Sequence, residues 1–320
     1  MEKKKVGIVG LGVVGKRLLH SFTAEEQTDI QCVCDIHEEV AERAASEFGV
    51  PHYVTDYKEL VSRSDIDLVY VAVPPAYHYD VVMSALDHNK HVLCEKPLAN
   101  SLNEANEMLE KAKEKGLVHA MHFPLPYSLP FVFVKEQIEE GKLGDIVRVN
   151  LVMHFDQWPR PWQVTPWIGT REQGGFIREI MPHYIQMIMH IFGDITEVHA
   201  EIDYPTDPDL SEVGLIAKFR LANGIKVIID GLVGQAAKER IALTIHGTKQ
   251  SLSFENWREV KVANRGEDFS SIEPKLQTKQ VFSLIDEFCR KMDGHDAFLV
   301  DFEEGLQVQS VLEKILSTQK

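Results

Sequence analysis

The stretch Lys5–Gly15, KVGIVGLGVVG, decides how the rest of the chain folds. A short apolar strand, Lys5 to Val9, stops at Gly10. Glycines 10, 12 and 15 then stand in G-x-G-x-x-G spacing before a helical pattern through Leu18, Leu19 and Phe22. In such a turn the first glycine permits the tight reversal, the second lets a pyrophosphate approach the backbone, and the third lets helix and strand pack closely. The start of the helix offers free N–H groups and a positive dipole end to phosphates. Alone, the motif is weak. Here a second strand, Ile30 to Cys34, ends in Asp35, about 20 residues beyond the last glycine, where the dinucleotide fingerprint places an acidic residue. A carboxylate there accepts hydrogen bonds from a ribose diol and repels a 2′-phosphate, so the expected cofactor is NAD in preference to NADP. The competing reading makes Asp35 a cap for a helix starting near His37.

Outward from this turn, strands and helices alternate. His37 to Phe48 reads as a helix closed by Gly49, a natural left-handed cap. Asp56 opens a short helix. Leu68 to Val73 is nearly all apolar, as a parallel strand covered on both faces should be. It ends in Pro74-Pro75, ahead of a helix from about His78 to Asn89. Next comes His91–Leu98, HVLCEKPL: an apolar strand that gives out at Glu95-Lys96 and is stopped by Pro97. That puts a lysine at the rim of a sheet, where open α/β folds bind ligands. Ser101 opens another helix, ended at Gly116, and Leu117 to Met121 makes a sixth strand. This alternation over about 120 residues predicts a doubly wound parallel sheet.

After His122 the pattern changes. Prolines 124, 126 and 130 mark a crossing between domains, giving an expected dinucleotide-binding domain over 1–122 and a second α/β domain over 123–320. Val147, Val149, Leu151, Met153 and Phe155 alternate with polar neighbours, the period-two mark of a strand with one wetter face. Further strands are expected near 197–202, 213–221, 225–231, 241–246 and 251–254, with Asn223-Gly224 as a hairpin turn. Together they predict a large mixed or antiparallel sheet, of a kind that often pairs in oligomers. Helices near 282–292 and 303–316 close the sequence.

Two features of the second part could carry chemistry. Glu179 and His183 are four apart and would share a helix face; a carboxylate behind a histidine makes a plausible general base, although an ordinary surface pair or a core histidine fits equally. Pro182 must lie in a first helical turn or kink the helix, because it cannot donate to the carbonyl of Arg178. The loop Trp158–Trp162, WPRPW, followed by Trp167, gathers three of the four tryptophans. Such rings either stack on a sugar face or pin the loop to its domain.

The formal net charge of −15 and pI of about 5.4 oppose a nucleic acid backbone or an anionic membrane surface, and leave a small neutral substrate open. No apolar stretch reaches the length of a membrane span. The lysine-led apolar start is cut by glycines and lacks a small-residue cleavage site, so it does not read as a signal peptide. Cys32, Cys34, Cys94 and Cys289 show no metal-ligand spacing and read as reduced core thiols in a cytoplasmic protein.

The sequence resembles the Gfo/Idh/MocA family, named for glucose–fructose oxidoreductase and inositol dehydrogenase, from about Lys5 to Ser317. The resemblance rests on VGIVGLGVVGKRLL, on VYVAVPPAYHYDVVMSALDHNKHVLCEKPLA, on KEQIEEGKLGDIVRV, on GGFIREIMPHYIQMIMHIFGDITEV and on IHGTKQSL. It implies a Rossmann domain joined to an α/β domain with an open sheet, and hydride transfer between a nicotinamide cofactor and a sugar, polyol or inositol carbon. The family's E-K-P lysine falls on Lys96, its histidine on His183 and its aspartate on Glu179. The cofactor set is then Gly10, Gly12, Val13, Val14, Gly15, Asp35, Ile36, Pro74, Pro75, His78, Glu95 and Lys96. The substrate set is Lys96, Trp158, Trp162, Trp167 and His183. His154 and Tyr127 are the reserve candidates for the base, no metal is expected, and a homodimer or homotetramer through the second sheet is. The departures are Glu179 where the family has Asp, Met181-Pro182 where it usually has a Gly, and Phe123–Pro126 where it commonly has polar Asn and Arg. They leave room for a dinucleotide-binding sensor or assembly protein, or a reductase of a non-sugar carbonyl.

Overall fold

The structure is a computed structural model, and it describes residues 2–276 and 281–317. The chain forms two compact units. The first runs β1 (Lys4–Val9), α1 (Val13–Ala24), β2 (Thr28–Cys34), α2 (Glu38–Phe48), β3 (His52–Val54), α3 (Tyr57–Ser62), β4 (Leu68–Val71), α4 (His78–Asp87), β5 (His91–Cys94), α5 (Leu102–Lys115) and β6 (His119–Met121). Its six strands lie in the order β3-β2-β1-β4-β5-β6 and every pair is parallel. Each residue of β4 is buried, which is why the strand reads as an unbroken apolar run. The strand order reverses between β1 and β4, so the carboxyl ends of these two strands flank the switch point at which open sheets bind ligands.

The second unit contains α6 (Leu129–Glu139), β7 (Ile146–Phe155), α7 (Phe176–Glu179), α8 (Met181–Phe192), β8 (Ile195–Asp203), β9 (Gly214–Leu221), β10 (Lys226–Val233), β11 (Arg240–Gly247), β12 (Gln250–Glu255), β13 (Glu259–Asn264) and β14 (Ser270–Ile272). The strands form one mixed sheet in the order β14-β13-β12-β11-β7-β10-β9-β8, with β7 and β10 parallel and the other pairs antiparallel. Asn223-Gly224 turns β9 into β10, with Gly224 at φ +87°. The sheet carries two strands, β13 and β14, beyond those legible in the sequence. They are short, six and three residues, and β13 follows a turn, Asn256-Trp257, with both residues at positive φ and no glycine or proline to mark it.

The division at 122/123 needs one correction. Residues 282–309, which hold α9 (Leu284–Met292) and the first half of α10 (Phe302–Ser317), group with the first unit. The cause is the edge of the parallel sheet. β6 has a strand on one side only, and an unpaired edge needs partners. The returning segment supplies them: Met121 N–H donates to the Val300 carbonyl (2.7 Å), and Phe302 N–H donates to His119 Nδ1 (3.1 Å). Val300, Phe302 and Phe288 are buried in doing so.

Candidate functional site

The glycine turn is built for a close ligand approach. Gly10 sits at φ +94°, and a Cβ there would fall 2.4 Å from the Ala72 carbonyl oxygen. A Cβ on Gly15 would lie 2.0 Å from the Gly10 oxygen, so only glycine lets α1 press onto the turn. Nothing stands within 4 Å of a Cβ placed on Gly12, and no side chain caps α1. The helix therefore presents its first N–H groups to open space, as a pyrophosphate would require. Val13 and Val14 are 49% and 38% exposed beside it, and Ile36 is 81% exposed.

Asp35 accepts two backbone hydrogen bonds. One carboxylate oxygen accepts from Leu11 N–H (3.0 Å), which ties the glycine turn to the end of β2. The other accepts from His37 N–H (3.0 Å), while the cap position of α2 is His37 itself. Asp35 thus steadies the turn and lies at the switch-point rim. A dinucleotide fits this donor set: uncapped helix N–H groups for phosphates, a carboxylate for a ribose, and exposed apolar side chains for a base.

The lysine turn is held from several sides. Glu95 follows the end of β5 and is 8% exposed. Its Oε1 accepts from the Tyr70 hydroxyl (2.5 Å) and faces His122 Nδ1 (2.5 Å). Burial pushes the carboxyl up, but the charge and hydrogen bond of His122, the Tyr70 hydroxyl and the nearby Lys96 outweigh it and bring the carboxyl down to about 2. His78, fully buried, has its two ring nitrogens 2.8 Å from the Pro97 carbonyl and 2.9 Å from the Val73 carbonyl. It pins the lysine turn to the Pro74-Pro75 segment, and burial pushes its imidazole below the ordinary value. Gln309 of α10 clasps the next peptide: its Oε1 accepts from Ala99 N–H (3.1 Å) and its Nε2 donates to the Ala99 carbonyl (2.7 Å). Lys96 itself is half-buried and precedes a cis peptide to Pro97.

In the second unit Glu179 and His183 do not share one helix. α7 ends at Glu179, Ile180 interrupts at φ −110°, and α8 begins at Met181. Pro182 lies in the first turn of α8, where its missing N–H costs nothing, and this resolves the geometry in favour of a break. Both side chains are half-buried on either side of that joint. α7 is fixed by Glu212, whose buried carboxylate accepts from Ile177 N–H (2.7 Å). Gly175, at φ +94°, leaves room for it: a Cβ there would fall 2.2 Å from Glu212 Oε2. The His183 ring packs edge-on against Trp257, with centroids 5.3 Å apart.

The tryptophan loop divides between its two readings. Trp158 pins: its Nε1 donates to the Ile168 carbonyl (3.2 Å), and its ring packs against Phe155 and Phe176 at 5.1 and 6.3 Å. Arg160 lies over Phe155, Trp158 and Trp162 and holds Glu239 through two nitrogens, at 2.6 and 2.9 Å. Trp162 stays 55% exposed, and Trp167 is half-buried in a one-turn helix. Tyr127 is half-buried in another. His154 pairs with Asp230 (3.0 Å) on the wetter face of β7, opposite the Met153 and Phe155 side chains. Because Phe155 is the side chain that meets Phe176 of α7, strand alternation directs His154 away from that helix.

Four residues beside the candidate groups went unread in the sequence: Tyr70, His122 and Gln309 in the first unit, and Trp257 in the second. Two carried a signal. Tyr70 is a hydroxyl inside an all-apolar strand, and a buried Tyr needs a partner. His122 directly follows β6 at the same sheet rim that singled out Lys96. Trp257 and Gln309 reach their places only through tertiary folding. All four cysteines are buried and free, and burial pushes Cys32 to about 11 and Cys34 to about 12. Among the described residues no helix is long and apolar enough to cross a membrane, and no His/Cys/Asp/Glu cluster could hold a metal.

A doubly wound sheet with an open glycine turn at its switch point defines a dinucleotide-binding protein. Residues 4–123 match the Gfo/Idh/MocA oxidoreductase family's NAD-binding Rossmann fold and residues 131–253 match its C-terminal domain, so the chain belongs to that family. It is 24% identical over 292 residues to levoglucosan dehydrogenase of Pseudarthrobacter phenanthrenivorans, covering 79% of this chain and 74% of that protein. It is 24% identical over 263 residues to myo-inositol 2-dehydrogenase of Thermotoga maritima, covering 81% and 77%. The fold superposes on that of a levoglucosan dehydrogenase solved with NADH and levoglucosan, with a TM-score of 0.85 at 21% identity over 99% of this chain and 97% of the other.

Proposed function

We propose that the protein moves a hydride between NAD(H) and a secondary alcohol or carbonyl of a sugar, polyol or inositol-like molecule. The observation that carries this reading is the lysine turn at the carboxyl end of β5, in a family of NAD-binding oxidoreductases whose relatives include levoglucosan and inositol dehydrogenases. NAD, when bound, supplies the hydride acceptor. The first N–H groups of α1 and the Gly12 face would hold its pyrophosphate and Asp35 a ribose, and Pro74, Pro75 and Glu95 would serve its nicotinamide end. Lys96 donates to the reacting oxygen and stabilises negative charge developing there. His183 takes the hydroxyl proton as general base. Glu179 supports the joint from which His183 projects, and Trp162 offers an open aromatic face to the substrate.

Wild-type protein incubated with NAD and a panel of polyols, inositols and anhydrosugars is expected to form NADH with at least one of them. No turnover on any member, in either direction, together with tight NADH binding, favours a dinucleotide-binding sensor instead. NAD is expected to bind more tightly than NADP because of Asp35. The wetter face of the second sheet carries Ile216 and Leu232 (63% and 42% exposed), which supports a homodimer or homotetramer through that face. The free, buried thiols support a cytoplasmic setting.

A further inference from the structure

The site holds a carboxylate–imidazole pair other than the one the helix spacing pointed to. It lies in the first unit, where His122 Nδ1 approaches Glu95 Oε1 at 2.5 Å and Tyr70 donates to the same oxygen. An ionised carboxylate only accepts, so His122 Nδ1 is the donor of this hydrogen bond. The three groups come from the ends of β4, β5 and β6, and Glu95 adjoins Lys96.

We propose that His122 is a positioning residue of the hydride-transfer site: by donating to the buried Glu95 carboxylate it fixes that side chain, and with it the backbone that presents Lys96. The role rests on the reading of Lys96 given above. A buried carboxylate without donors would take up a proton and turn toward new partners. With Tyr70 and His122 both donating, Glu95 stays an anion in one place, and the chain leaving β5 is held at its last residue before Lys96. The charged and titratable groups that act on Glu95 are His122 after β6, Tyr70 on β4, Lys96 beside it, His78 on α4 and the Cys94 thiol. Of these, His122 is the strongest force keeping it ionised.

The test is a carboxyl titration of cofactor-free protein labelled with 13C-glutamate, with the Glu95 resonance assigned by its loss in Glu95→Gln. His122→Phe keeps a ring of similar size and removes the donor; the Glu95 midpoint is expected to rise by about two units. His122→Asn, whose amide can reach the same oxygen, is expected to restore most of the wild-type value. Tyr70→Phe, which removes one hydroxyl, serves if His122→Phe does not fold, and is expected to raise the midpoint less. In turnover, His122→Phe should lower kcat about tenfold while NADH affinity, read by fluorescence, stays within about twofold, and His122→Asn should recover kcat. A Glu95 midpoint that does not move in folded His122→Phe, or wild-type kcat in that variant, overturns the proposal. The titration involves neither NAD nor substrate, so it is independent of whether Lys96 acts in catalysis. Full turnover in Lys96→Ala strikes the lysine reading instead.

Discussion

The lysine turn of the first unit and the Glu179–His183 joint of the second are built in opposite ways. Around Lys96 the chain is gripped at alternate residues: the Glu95 side chain by Tyr70 and His122, the Pro97 carbonyl by His78, and the Ala99 peptide by Gln309. The gripping side chains are buried, or for His122 partly buried, so loosening any of them leaves a buried polar group unsatisfied, at about 1–3 kcal/mol each. At the joint the backbone is deliberately interrupted. α7 is one turn long, Pro182 opens α8, and the aromatic neighbour of His183 comes from a turn with left-handed backbone. A group that stabilises charge on a reacting oxygen benefits from rigid placement. His183 instead projects from the first turn of α8, immediately after the break at Ile180.

The comparison can be broken in three places. The largest of these three effects, smaller than that of removing Lys96, is expected at the joint: His183→Ala should lower kcat by about 100-fold with NADH affinity unchanged, and a loss below about tenfold would hand the base role to another residue. Next comes the tryptophan loop, where pinning and exposure separate. Trp158→Ala should destabilise the protein by about 2 kcal/mol in urea melts, because it removes the ring that packs against both Phe155 and Phe176. Trp162→Ala should leave the melt in place and raise KM for the substrate. If both variants behave alike, the division of the loop fails. The smallest effect is expected at the cofactor rim: Asp35→Ala should weaken NADH binding about tenfold and narrow the gap to NADPH, measured by fluorescence titration. An unchanged ratio would reduce Asp35 to its structural contacts with Leu11 and His37.

What the sequence disclosed follows the same contrast. The glycine spacing, Asp35 and the lysine after an apolar run are local signals, because steric limits at Gly10 and Gly15 and the alternation of β1, α1 and β2 act over about 30 residues. They locate the glycine turn, Asp35 and Lys96 at the carboxyl ends of β1, β2 and β5, where the structure has them. The helix face expected to join Glu179 and His183 failed because periodicity describes a continuous helix, and one proline moved the boundary. Trp257, Gln309 and the return of residues 282–309 to the first unit were not legible, since they depend on which edge of a sheet is left open, and that is settled only once the strands are ordered.

The central claim is that hydride transfer depends on Lys96 while cofactor binding does not. The most direct measurement pairs turnover with NADH binding in Lys96→Ala, using a substrate that the wild-type protein oxidises. The account predicts NADH affinity within about threefold of wild type and turnover reduced at least about 1000-fold, as expected when the group stabilising charge on a reacting oxygen is removed. Lys96→Ala protein that binds NADH and turns over at the wild-type rate would contradict it.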